Sequence, residues 1–127
     1  MTDELFEAGL KNRKEVLGAE HVNNSLASAD EFTQPLQELV TKFAWGAVWG
    51  RDEELPRKTR SIINLAMLSA LNRPHELKLH VRGALNNGVS KEEMREIFLQ
   101  VAIYCGFPAS IDAFRTAKQV FEEMEQE

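Results

Sequence analysis

"PHELKLHVRGALNNGVSKEEMREIFLQVAIYCG" (residues 74–106) contains two helices and the stop between them. Pro74 pre-sets the backbone angle of a first helical turn, and the helix it opens ends at "NNG", where Gly88 can take the left-handed conformation that a helix C-terminus favours. "SKEE" then reads as a capping box: the Ser90 side chain can accept from the Glu93 N–H while the Glu93 carboxylate reaches back to Ser90. Beyond it Met94, Ile97, Phe98, Val101 and Tyr104 recur at helical spacing until Gly106.

The same period extends both ways. Leu5, Phe6, Leu10, Val16 and Leu17 form a first stripe, with Gly18 placed to end it. "AEHVNNSLASADEF" (19–32) reads as a polar connector with at most a helical turn. Thr33 is placed to cap a second helix with Pro35 in its first turn, along which Leu36, Leu39, Val40, Phe43, Ala47 and Val48 trace one face until Gly50. Trp45 and Trp49, four apart, share a neighbouring side. Pro56 opens a third helix with Ile62, Ile63, Ala66, Met67 and Ala70 as its buried face, and Pro108 opens a last one through Ile111, Phe114, Ala117, Val120, Phe121 and Met124. No stretch alternates with the two-residue period of a strand. The expectation is all-α: a compact bundle of about six helices in a single domain spanning 1–127.

The chain's totals narrow the function classes. No run approaches the roughly 18 apolar residues of a membrane span, and "MTDELFEAGLKNRKEV" lacks the apolar centre of a signal peptide, so the cytoplasm is the expected compartment. Cys105 is the only cysteine, which excludes an intramolecular disulfide, a C-x-x-C redox pair and a multi-cysteine zinc site; on an apolar helix it is expected to be a small buried hydrophobe. A net charge of −5 with no dense Lys/Arg stripe argues against a nucleic-acid surface.

At about 100° per residue from Glu76, His80 falls near 40°, Arg73 near 60°, Asn87 near 20° and Gly83 near 340°, beside a core stripe of Leu77, Val81 and Ala84 at about 80° to 140°. Glu76 and His80 have the i, i+4 spacing at which a carboxylate can orient an imidazole and raise its pKa. Gly83 removes bulk one turn beyond His80, at a cost of about 1 kcal/mol relative to Ala. Spacing alone fits two readings, a partly exposed helix pair beside a glycine that permits close packing, or the edge of a site. Trp45, Trp49 and Tyr104 likewise fit packed aromatics or a substrate wall.

"LPRKTRSIINLAMLSALNRPHELKLHVRGALNNGVSKEEMREIFLQVAIYCGFPAS" (55–110) resembles the carboxymuconolactone decarboxylase family of the alkylhydroperoxidase-D-like all-helical superfamily. "EVLGAEHVNNSL" and "FAWGAVWGR" extend the resemblance upstream, so that it covers most of residues 10–122. The peroxidase branch of that superfamily carries C-x-x-C-x-x-x-H, and anchoring its histidine on His80 puts Arg73 and Glu76 where its cysteines would stand. Thiolate attack on a peroxide has no nucleophile there.

The resemblance implies loss of carbon dioxide from 4-carboxymuconolactone to give 3-oxoadipate enol-lactone, a step of protocatechuate (beta-ketoadipate) breakdown. The departing electron pair spreads onto the lactone carbonyl as a dienolate, so the substrate is its own electron sink. No cofactor is required, and no motif for a metal, pyridoxal or thiamine site is recognisable. The substrate is then a small dicarboxylate lactone. Arg60 and Arg73 are the expected carboxylate clamps, His80 the acid oriented by Glu76 or the two with roles exchanged, and Trp45, Trp49 and Tyr104 an apolar wall. So much apolar surface on short helices suggests a homo-oligomer, and the resemblance implies a hexamer built as a trimer of dimers. The alternatives are a same-fold enzyme acting on another lactone or carboxylate, a peroxidase despite the missing cysteine pair, and a non-catalytic helical oligomer.

Overall fold

The computed structural model describes residues 3–127, and every regular element among them is helical. The chain divides after Arg57 into two compact units. None of the described helices is long and apolar enough to cross a membrane.

In the first unit α1 (Glu4–Leu17) starts on Asp3, whose carboxylate accepts from the Phe6 N–H at 3.1 Å, and Gly18 ends it. The connector expected at 19–32 is helical over its first nine residues, α2 (Ala19–Ala27), with Val22 buried. Two apolar side chains four apart among Asn and Ser are too few to show a period, but Glu20 in the first turn suits a helix N-terminus. Thr33 stands at the N-cap position of the next helix, as expected, but its side chain makes no capping bond: its hydroxyl accepts from the Asp30 N–H at 3.0 Å, while the Asp30 carboxylate accepts from the Thr33 N–H at 2.9 Å. The two side chains close a local turn in place of the cap.

α3 (Gln34–Leu39) continues into a π-helical segment, Val40–Val48. The wider π turn breaks the 3.6-residue period on which the reading of this stretch rested. Trp45 and Trp49 are buried, stack at 4.8 Å, and pack with Val16, Leu17 and Val40. Polar groups of α1 brace the π turns. Asn12 donates to the Trp45 carbonyl at 2.9 Å, and the Arg13 guanidinium to the Thr41 hydroxyl at 3.1 Å and the Gln37 side chain at 3.0 Å. The Asn12 side-chain oxygen in turn accepts from Arg57 at 2.7 Å.

The second unit contains α4 (Arg57–Ala70, from Lys58 on), α5 (Pro74–Asn86), α6 (Lys91–Cys105) and α7 (Phe107–Glu125). Leu65, Leu77, Val81, Met94, Phe98 and Val120 lead its core. The capping box forms as expected, with Glu93 N–H to Ser90 at 3.0 Å and Ser90 N–H to Glu93 at 2.9 Å, and Gly88 takes φ +93°. The expected buried face of α4 is displaced. Ser61, Leu65 and Ser69 are buried, while Ile63 and Met67 are 42% and 48% exposed. Ser69 satisfies its hydroxyl on the Leu65 carbonyl at 2.6 Å, which lets a small polar residue take a buried position. On α6, Cys105 is exposed, contrary to the buried thiol expected, and so is Tyr104, which is therefore not a packed aromatic. Ala102 takes the buried position that the spacing offered to Tyr104.

Candidate active site

α4 and α5 form an antiparallel hairpin. Its tight connection places Asn72 at φ +56°, a conformation asparagine tolerates better than most residues. Two side-chain bonds fix the register: Asn87 donates to Ser61 at 2.9 Å, and Asn64 lies 3.4 Å from the Nδ1 of His80. The seam between these helices therefore carries Ser61 and Asn64 from one side and His80 and Asn87 from the other. Arg60, half-buried, precedes Asn64 by one turn on α4.

His80 is buried, at 9% exposure. Burial pushes its pKa below the ordinary histidine value, and the charge of Glu76 opposes that shift without overcoming it. Glu76 does raise this pKa, as its spacing suggested, but desolvation outweighs the exposed carboxylate, so the net shift is downward and the ring is neutral at neutral pH. Glu76 acts on His80 through charge, whereas the bond at Nδ1 involves Asn64 from the neighbouring helix. Buried Gly83 follows one turn later.

The other expected site residues are dispersed. Arg73 is the N-cap residue of α5, with φ −116° and ψ 72° outside the helical region, and is exposed, with its guanidinium 3.4 Å from the Leu71 carbonyl. The helical angle assigned to it does not apply, because the helix begins one residue later. Trp45 and Trp49 belong to the core of the first unit. Tyr104 is 82% exposed and lines an apolar groove of about 390 Å³ with Ile62, Met67, Ile97 and Cys105. None of Arg60, Ser61, Asn64, His80 and Asn87 lines that groove.

Asn64 and Ser61 are the site residues that sequence reasoning missed. The signal available was a polar line on an otherwise apolar helix: Arg60 and Asn64 at i, i+4, beside Ser61.

A donor-lined seam with a neutral imidazole and a guanidinium one turn from its partner can hold an anion and stabilise negative charge that develops on an oxygen. The carboxymuconolactone decarboxylase family matches residues 34–119. A 4-carboxymuconolactone decarboxylase of Acinetobacter baylyi is 46% identical over 98% of this chain and 92% of its own length. A nitrosuccinic acid decarboxylase of Metarhizium robertsii is 47% identical over 94% of this chain and 83% of its own. The chain belongs to the carboxymuconolactone decarboxylase family.

Proposed function

We propose that the protein is a carboxy-lyase that converts 4-carboxymuconolactone to 3-oxoadipate enol-lactone and carbon dioxide in the breakdown of protocatechuate, with no cofactor. The near-full-length likeness to a 4-carboxymuconolactone decarboxylase carries this reading. The family match runs from residue 34 to residue 119, across the division at Arg57, which supports one functional domain.

The reaction needs cations for the substrate's carboxylates, a donor for the oxygen that receives the electron pair, and a proton for the ring carbon. Arg60 and Arg73 supply guanidinium groups, which meet a carboxylate through two parallel hydrogen bonds. His80, neutral at neutral pH, donates to the lactone oxygen as dienolate charge grows there. Glu76, exposed to solvent one turn before His80, relays a proton from water to the ring carbon and is left ionised after the transfer. This assignment takes the exchanged form of the two roles, because a depressed pKa suits His80 to be a neutral donor more than an imidazolium acid. Trp45 and Trp49 we assign to the core of the first unit and Tyr104 to its groove, leaving the seam's own helices to shape the pocket.

Replacing Arg60 or Arg73 with Lys keeps the charge and loses the fork. KM is expected to rise about tenfold with kcat less affected. A residue whose lysine variant keeps the wild-type KM is not part of the clamp.

The second decarboxylase relative favours one alternative, nitrosuccinate. Loss of the carboxylate beside a nitro group leaves the electron pair on the nitro oxygens, so this dicarboxylate too is its own sink. Purified protein, without added metal or cofactor, should be given each substrate while carbon dioxide is followed and the product identified. Enol-lactone formation supports the primary reading. Release from nitrosuccinate alone transfers the site to that substrate, and release from neither overturns both.

We also infer a homohexamer, a trimer of dimers, located in the cytoplasm. Four large apolar side chains close together in sequence, Phe32, Leu36, Leu39 and Phe43, are 90%, 60%, 54% and 51% exposed, apolar surface suited to burial between copies. Light scattering at micromolar concentration should give the hexamer mass; a monomer peak would refute it.

A further inference from the structure

We propose that Asn64 is a positioning residue that sets the tautomer of His80, holding Nδ1 unprotonated and the ring proton on Nε2. The proposal rests on the site reading above, because it gives the donor in that reading its proton.

Three observations carry it. First, the side-chain nitrogen of Asn64 lies 3.4 Å from Nδ1 of His80. An amide N–H can only donate, so this contact is a hydrogen bond when Nδ1 is the unprotonated acceptor, and a neutral imidazole with Nδ1 as acceptor carries its hydrogen on Nε2. Second, the hairpin register is held independently by Asn87 donating to Ser61, which is fully buried. Asn64 is therefore kept opposite His80 by a bond in which neither residue takes part. Third, Leu65 beside Asn64 and Leu77 and Val81 flanking His80 lie in the core of the second unit, which limits how far either side chain can turn. Burial of the ring favours its neutral form, the form in which a choice of tautomer exists.

The arrangement inverts a familiar division of labour. In a carboxylate–histidine pair the carboxylate accepts from the imidazole and stabilises its charged form. An amide nitrogen at the same place stabilises the neutral ring and directs its one N–H outward from the far nitrogen. Glu76, on the same helix as His80, raises the ring's affinity for a proton through charge. Asn64, on α4, resists protonation of Nδ1. A dianionic substrate arriving in the seam would pull a proton onto an unguarded imidazole, and the amide opposes that uptake at the nitrogen it faces.

The test uses the full-length protein with 15N-labelled histidine. Two-bond 1H–15N spectra distinguish a protonated from an unprotonated ring nitrogen, and a His80→Gln sample identifies the His80 signals among the three histidines. Above the ring's transition, the wild type should show an unprotonated Nδ1 and a protonated Nε2. Asn64→Asp, which can only accept when ionised, should move the proton to Nδ1 or charge the ring. It should also lower kcat at least about tenfold with KM little changed. Asn64→Ala should give a mixture of tautomers and an intermediate kcat. A wild-type ring protonated at Nδ1, or an unchanged tautomer in both Asn64 variants, overturns the proposal. The spectra do not depend on the identity of the substrate. Failure of the site reading would instead appear as a fully active His80 variant, whatever the tautomer.

Discussion

Replacing His80 with Ala is expected to lower kcat on 4-carboxymuconolactone by about 10²- to 10³-fold, the usual effect of removing one donor aimed at a developing oxyanion. The Gln variant separates two roles. Glutamine keeps an N–H at a distance from the backbone similar to that of the imidazole Nε2, but it cannot act as an acid. If His80 works as a donor, His80→Gln retains part of the activity lost in His80→Ala; if it works as a proton source, the two variants are equally poor. Steady-state kinetics on both variants decide the matter, and activity within twofold of wild type in His80→Ala would remove the residue from the site.

The same substitution has a consequence for folding that needs no substrate. The folded-state pKa of His80 lies below the ordinary histidine value, so between the two the unfolded chain binds more protons than the native one. Stability is fully present above about pH 6.5, the ordinary value. It falls as pH drops through the window between that value and the folded pKa, and this histidine adds no further slope below. His80→Gln should remove that slope from denaturation midpoints measured across mildly acidic pH. The carboxylates of Asp3, Asp30, Glu93 and Glu123 are also held below their ordinary values, but they begin to matter only lower, where carboxylates titrate.

The helices most legible in the sequence were those with local punctuation. Pro74, the "NNG" stop, the capping box at Ser90 and the glycine stops each act within one turn, so residue type alone reveals them. α2 escaped notice because its only buried residue is Val22, and the π segment because its turns do not follow the period used to read them. The site was partly legible for the same reason. His80, Glu76 and Gly83 share a helix, so spacing relates them, whereas Asn64 reaches His80 from another helix sixteen residues away. Arg73 shows the opposite failure, a helical angle given to a residue that the helix does not include. Arg13 and Asn12 are polar types that are usually exposed, and partners distant in sequence, the Trp45 carbonyl and Thr41 hydroxyl of the π segment with Gln37 and Arg57, account for their burial.

Gly9→Ala is expected to destabilise the first unit by about 3 kcal/mol or more, at the upper end of what overpacking a close contact costs. Elsewhere in a helix the same change would stabilise by up to about 1 kcal/mol, because alanine restricts the unfolded chain and favours the helix. The sign reverses here because α1 and the π segment meet backbone to backbone. A Cβ on Gly9 would collide with the Thr41 carbonyl oxygen and lie 2.8 Å from the Gly46 nitrogen, and a Cβ on Gly46 would lie 2.6 Å from the Leu5 carbonyl oxygen. None of these atoms belongs to a side chain that could rotate aside. The helices would have to separate, and separation also stretches the bonds from Asn12 to Trp45 and from Arg13 to Thr41. Chemical denaturation followed by tryptophan fluorescence and near-ultraviolet circular dichroism reads the event directly, since Trp45 and Trp49 stack in this unit's core. The expected result is a lower midpoint and a weakened tryptophan signal in Gly9→Ala, with neither in Lys11→Ala, an exposed position two residues along the same helix. A Gly9→Ala protein as stable as wild type would mean that α1 can shift without cost, and that the π turns do not depend on its close approach.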